Sequence, residues 1–170
     1  MHWRTLLLVA IASFAMGLNG NRIYAEEQND PALIKSMADA KVTLQQGLTA
    51  AAKEGNPISA KFELENGKLQ LSVYTAKAGK FSEVIVDHVT GKVAKTEAIT
   101  EGEDLTAAKS QSAAMEKVKS DLKAAVDKSA AQSAGSRAVS VTPSVKDGHP
   151  VASVTLITGQ QFKSVEQPLQ

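Results

Sequence analysis

Any chemistry in this chain has to come from very few side chains. Its 170 residues include three histidines and no cysteine. Two of the histidines stand beside aspartates: Asp87 precedes His88, and Asp147-Gly148 precedes His149. An aspartate next to a histidine can orient an imidazole for general base work, and two such pairs could hold zinc or copper. The metal reading needs the two turns to meet in space, and no thiolate is present to strengthen it. Serine hydrolysis needs a carboxylate-held histidine and a serine on a sharp elbow, yet no Gly-x-Ser-x-Gly occurs. The plainer reading of Asp87 is a strand end that accepts backbone N–H groups of the next turn, with His88 its solvated neighbour. No catalytic residue, metal site or cofactor is therefore expected, and the chain reads as a non-enzyme.

The elements that would position these residues come from a repeat. Ile58 to Val86 and Val139 to Gln167 align without a gap at an offset of 81, with six of 29 pairs identical. The helical stretches before them align at an offset of 74, pairing Asp30 with Asp104 and Leu48 with Leu122. A duplicated unit constrains the fold before any motif does.

The first copy opens at Asp30-Pro31, an N-cap followed by proline at the first helical position. Thr43-Leu44-Gln45-Gln46 spells a capping box, and Gly55-Asn56-Pro57 ends the helix that follows. Gly47 weakens that helix by roughly 1 kcal/mol relative to alanine. Ile58, Ala60, Phe62 and Leu64 alternate with polar residues up to Asn66-Gly67, a strong hairpin signal. Leu69 to Thr75 and Phe81 to Val86 give two more strands, and Lys92 to Lys95 a short fourth.

The second copy follows the same plan. A long alanine-rich helix is expected over Asp104 to about Ala131, with Val118, Leu122, Ala125 and Val126 as its apolar stripe. Asp147-Gly148 repeats the hairpin turn. Pro143 replaces Phe62, which predicts an edge or a bulge there because proline cannot donate to a ladder. The fold class is thus α+β, each copy a helix packed on a three- or four-stranded antiparallel sheet. Each copy is near the size where a lone domain is marginal, so the two are expected to pack on each other and bury apolar faces.

Residues 1–25 read as a secretory signal, with Arg4, a mostly apolar Thr5–Leu18 and cleavage after Ala25. Without them, 17 basic residues face 18 acidic ones, which excludes the basic stripe of a nucleic-acid surface. An exported, cysteine-free domain fits a bacterial periplasm or outer surface. The domain plan is a first unit over 26–97, a linker over 98–103 and a second unit over 104–170.

Thr43-Leu44-Gln45-Gln46-x-Leu48-x-x-Ala51, the Asn66-Gly67 hairpin and Glu83-Val84-Ile85-Val86-Asp87-x-x-x-Gly91-Lys92-Val93 together resemble the PepSY domain. The resemblance covers about residues 40–95, and a degenerate second copy covers about 105–168. There, Val165-Glu166-Gln167-Pro168 lacks the aspartate and glycine of the closing turn. The resemblance implies a cystatin-like fold and singles out Asp87 and Gly91 as the family's terminal turn. It brings no catalytic residues. It implies an exported protein acting through protein or peptide contacts, with a peptidase as one partner, since such domains occur in propeptides of secreted metallopeptidases. A groove between the two units, taking a small ligand or metal, is the alternative.

Overall fold

Each copy builds its sheet from hairpins whose turns are written in their residues. Asn66 and Gly67 take φ values of 50° and 75°, and Asp147 and Gly148 take 52° and 79°. A two-residue type I′ connection requires this pair of positive values. The computed structural model describes residues 30–116, 118 and 120–169. The secretory signal read over 1–25 lies outside the described residues.

Helix α1 (Pro31–Ser36) and a 3-10 turn (Met37–Asp39) lead into α2 (Leu44–Ala51). Strands β1 (Asn56–Glu65), β2 (Lys68–Lys77), β3 (Lys80–Val86) and β4 (Val93–Ile99) follow. Helices α3 (Gly102–Met115) and α4 (Leu122–Ala131) then precede β5 (Arg137–Lys146), β6 (His149–Thr158) and β7 (Gln161–Pro168). The caps form as their residues dictate: Thr43 and Gln46 close a reciprocal capping box on α2, and Asp30 and Asp121 cap α1 and α4.

The seven strands of the described residues join one antiparallel sheet in the order β4-β3-β2-β1-β5-β6-β7. The copies therefore meet edge to edge, not by laying one apolar sheet face on another. Ala60 lies opposite Val141 and Lys61 opposite Ser140. Val141 is also the residue that aligns with Ala60 at the offset of 81. The junction is thus related to itself by a pseudo-two-fold through that pair, as in an isologous dimer interface. The bulge beside it is duplicated too. Ile58 and Val139 are the extra residues in β1 and β5, and they are 0% and 1% exposed.

Alternation along the strands sends Phe62, Leu71 and Val73 to one face and Ser59, Ser72 and Tyr74 to the other. Helix α2 covers the first face, so closely that a Cβ on Gly47 would come within 2.6 Å of Leu71 Cδ2. Helix α4 packs beside α2, joined through Gln45 Nε2 donating to Asp127 at 3.2 Å. One contiguous core takes residues from both copies, among them Leu44, Ile58, Leu71, Leu122, Val126 and Leu156.

Three expectations change. The helix expected over Asp104–Ala131 is two helices, because Asp121 caps a fresh start that an in-phase apolar stripe conceals. Helix α3 crosses to the opposite face, where Gln111 Oε1 accepts from the Ser59 hydroxyl at 2.8 Å. The connection expected over 98–103 shrinks to Thr100 and Glu101, since β4 runs to Ile99 and α3 starts at Gly102. Pro143 meets the expectation of an edge locally, although β5 is a central strand of the sheet. It pairs with Ala152 on β6, and the ladder to β1 has already ended at Val141.

The helical offset is corrected as well. The buried residues of α2 are Leu44, Gly47, Leu48 and Ala51, and those of α4 are Leu122, Ala125, Val126 and Ser129. They correspond at an offset of 78 rather than 74. A slip of four residues is about one helical turn, so it keeps an apolar stripe in phase and goes unnoticed in sequence.

Candidate functional site

The Asp87 turn is built by its own backbone. Asp87 Oδ1 accepts from Thr90 N at 2.6 Å, Thr90 Oγ1 at 2.9 Å and Val89 N at 3.0 Å. Gly91 N donates to the Asp87 carbonyl at 2.8 Å, and Asp87 N donates to the Lys92 carbonyl at 2.8 Å. The Thr90 N–H, the Thr90 hydroxyl and the Val89 N–H, in that order, hold the exposed carboxyl below the usual carboxylate range. Gly91 takes a φ of 73°, and a Cβ there would stand 3.2 Å from Val42 Cγ1. The His88 carbonyl accepts from Lys41 N at 2.8 Å and Val42 N at 3.1 Å. Asp87 and Gly91 therefore shape a turn that docks the segment leading into α2.

His88 and His149 are not brought together. His88 follows β3 and His149 opens β6, so four strand spacings, about 19 Å, separate their strands across the sheet. His88 is half-buried, and its Nδ1 has no hydrogen-bond partner among the described residues. His149 is exposed and pairs with Lys146 across the hairpin. Among the described residues no three His, Asp or Glu side chains are placed to share a metal ion.

Two grooves stand out instead. The first, about 390 Å³, joins the copies. Leu48, Ala52 and Pro57 line it from one side and Met115, Val118 and Leu122 from the other. The second, about 660 Å³, lies on the sheet face that α3 only partly covers. Its walls carry Glu63, Glu65, Glu83, Glu97 and Asp104 against Lys61 and Lys95. Lys61 pairs with Glu63 at 2.5 Å and Lys95 with Glu97 at 2.7 Å. The Ser72 hydroxyl donates to Glu83 Oε1. Tyr74 donates to Asp104 Oδ1 at 2.7 Å. Burial first, and then the Asp104, Glu83 and Glu63 carboxylates, push its phenol far above its ordinary value. The trough is therefore an acidic surface with one half-buried aromatic on its floor.

Sequence reading missed this trough, because Lys61, Glu63 and Glu65 look like the plain solvent side of an amphipathic strand. The signal was the acid excess on one face of β1, β3 and β4, visible only once strand register is known. It also missed Arg137. That guanidinium donates to the carbonyls of Met37 at 2.7 Å, Ala40 at 3.0 Å and Val42 at 2.8 Å. It also lies 5.7 Å from the centre of the Phe62 ring. One residue of the second copy thus ties down the chain entering α2 of the first.

A scan against family models, a search of curated proteins and a search of solved structures each returned no match.

Proposed function

We propose that this is an exported, non-enzymatic protein of the PepSY type, two cystatin-like units acting in the periplasm or outside the cell through contacts with a protein or peptide. The observation that carries the reading is the acidic trough, with five carboxylates and two lysines on one open sheet face. Such a surface favours a cationic segment by long-range attraction and offers Tyr74 as an apolar rest. Four of the five acids, Glu63, Glu65, Glu83 and Glu97, belong to the first copy, which agrees with that copy carrying the activity, and Asp104 of the second closes the trough. The Asp87 and Gly91 turn serves this site indirectly, by fixing the end of β3 that forms one wall. A peptidase of the same compartment is the partner to test first, with the protein as its inhibitor.

The test is a titration with a lysine-rich peptide and with its glutamate counterpart at low and high salt. Tighter binding of the basic peptide, weakened by salt and by Glu65→Gln with Glu83→Gln, is expected. Equal binding of both peptides would overturn the reading. A second reading has its own observation, the groove lined from both copies. A small apolar ligand seated there would raise the melting temperature with concentration, and Leu48→Trp would abolish that rise.

A further inference from the structure

Among the described residues, strand β4 ends the sheet and is paired on one side only, with β3. An open edge normally invites pairing with another chain, and charged side chains normally discourage it. The residues of β4 do something more specific. Val93-Ala94-Lys95-Thr96-Glu97-Ala98-Ile99 reads with the same chemistry in both directions about Thr96. Laid antiparallel against a second copy of itself, it sets Lys95 opposite Glu97 and Thr96 opposite Thr96, with small and apolar residues flanking these rungs.

The position of the centre matters. A two-fold perpendicular to a sheet keeps each side chain on its own face. Opposed residues of an antiparallel pair also share a face, and neighbours along a strand do not. The axis must therefore pass through a pair of equivalent residues and never between two. Thr96 meets this condition. The other edge, β7, has Lys163 and Glu166, whose midpoint falls between Ser164 and Val165, so the same operation cannot pair them. Centring β7 on either residue leaves both charges unmatched. The internal junction obeys the rule as well, with Ala60 opposite its own equivalent Val141.

We infer that the protein self-associates through β4, two copies pairing antiparallel about Thr96 so that their sheets become one. Lys95 and Glu97 now pair along their own strand at 2.7 Å with side chains 61% and 51% exposed, and they exchange partners across the seam. The bulge between Ile85 and Val86 bends the start of β4, so the firmest rungs are those from Lys95 to Glu97. One strand edge buries little area, which makes this a weak, concentration-dependent dimer. Because the axis preserves faces, the acidic troughs of the two copies lie side by side. The inference stands on β4 alone and survives if the trough binds no peptide.

The test is sedimentation of the purified protein, expressed from the full chain, up to about 1 mM, the range a small interface calls for. A monomer–dimer equilibrium is expected. Lys95→Glu and Glu97→Lys should each weaken self-association roughly tenfold by opposing like charges at both rungs. A mixture of the two variants should associate as the wild type does, because each acid then faces a lysine. Unchanged melting temperatures would confirm that both variants fold. Thr96→Cys, in a chain with no other cysteine, should be trapped as a disulfide dimer under mild oxidation, and Ser164→Cys should not. A monomer at every concentration, association indifferent to either charge reversal, or a mixture that fails to associate would each overturn the inference.

Discussion

Asp87 shows how a residue can look catalytic and be architectural. It stands beside a histidine, but Oδ1 is taken by Thr90 and Val89. Its folded titration lies below the unfolded value of about 3.9. The ionised form therefore adds stability that is fully present above that pH and is lost as pH falls through the folded value. Asp87→Asn is expected to melt below the wild type from neutral pH down to about pH 4, with the two curves converging in more acid solution. A gap that persisted in strong acid would show that the charge is not the cause. Gly91→Ala would force an L side chain to a φ of 73° against Val42. The expected cost is about 1–2 kcal/mol in urea unfolding. Arg137 is the opposite case, an unremarkable residue in sequence that satisfies three carbonyls. Arg137→Lys keeps the charge and loses the fork, so unfolding free energy should drop by about 1–3 kcal/mol. No drop would mean that water replaces the lost donors.

At the scale of elements, most of the fold was legible. The caps of α1 and α2, the Asn66-Gly67 and Asp147-Gly148 turns and the alternation in β1 and β2 are local effects, decided by residues a few positions apart. Gly47 was legible only as a weakness. Its reason is tertiary, since Leu71 fills the space its side chain would take. Gly47→Ala should gain about 1 kcal/mol of helix propensity and lose about 1–3 kcal/mol to overpacking, a net destabilisation. Adding Leu71→Val makes room, so a double-mutant cycle should give a favourable coupling between the two sites. Zero coupling would mean that α2 shifts bodily. Helix α3 was the least legible element. Its buried residues, Ala108, Gln111, Ala114 and Met115, are too small or too polar to announce a face. It rests on the Ser and Thr side of the sheet, whose chemistry looks like solvent exposure.

For the whole molecule, the test is to end the chain at Thr100. The shortened chain keeps β1 to β4 but opens the edge of β1 and loses Arg137. It is expected to unfold without a cooperative transition in calorimetry, whereas the full chain unfolds in one. A soluble, cooperative fragment would show that the first copy does not need the second. The sequence by itself determined the repeat, the hairpins, the caps of α1 and α2 and the α+β class, because each depends on backbone conformations that nearby residue types prefer. It also carried the charge palindrome of β4, unread until that strand proved to be an edge. Only the tertiary structure decided that the copies join through β1 and β5, that α3 crosses to the far face, and that scattered acids gather into one trough. Sheet strands pair through backbone N–H and C=O groups that every residue but proline shares, so the choice of β5 as the partner of β1 leaves no residue-type signature along the chain.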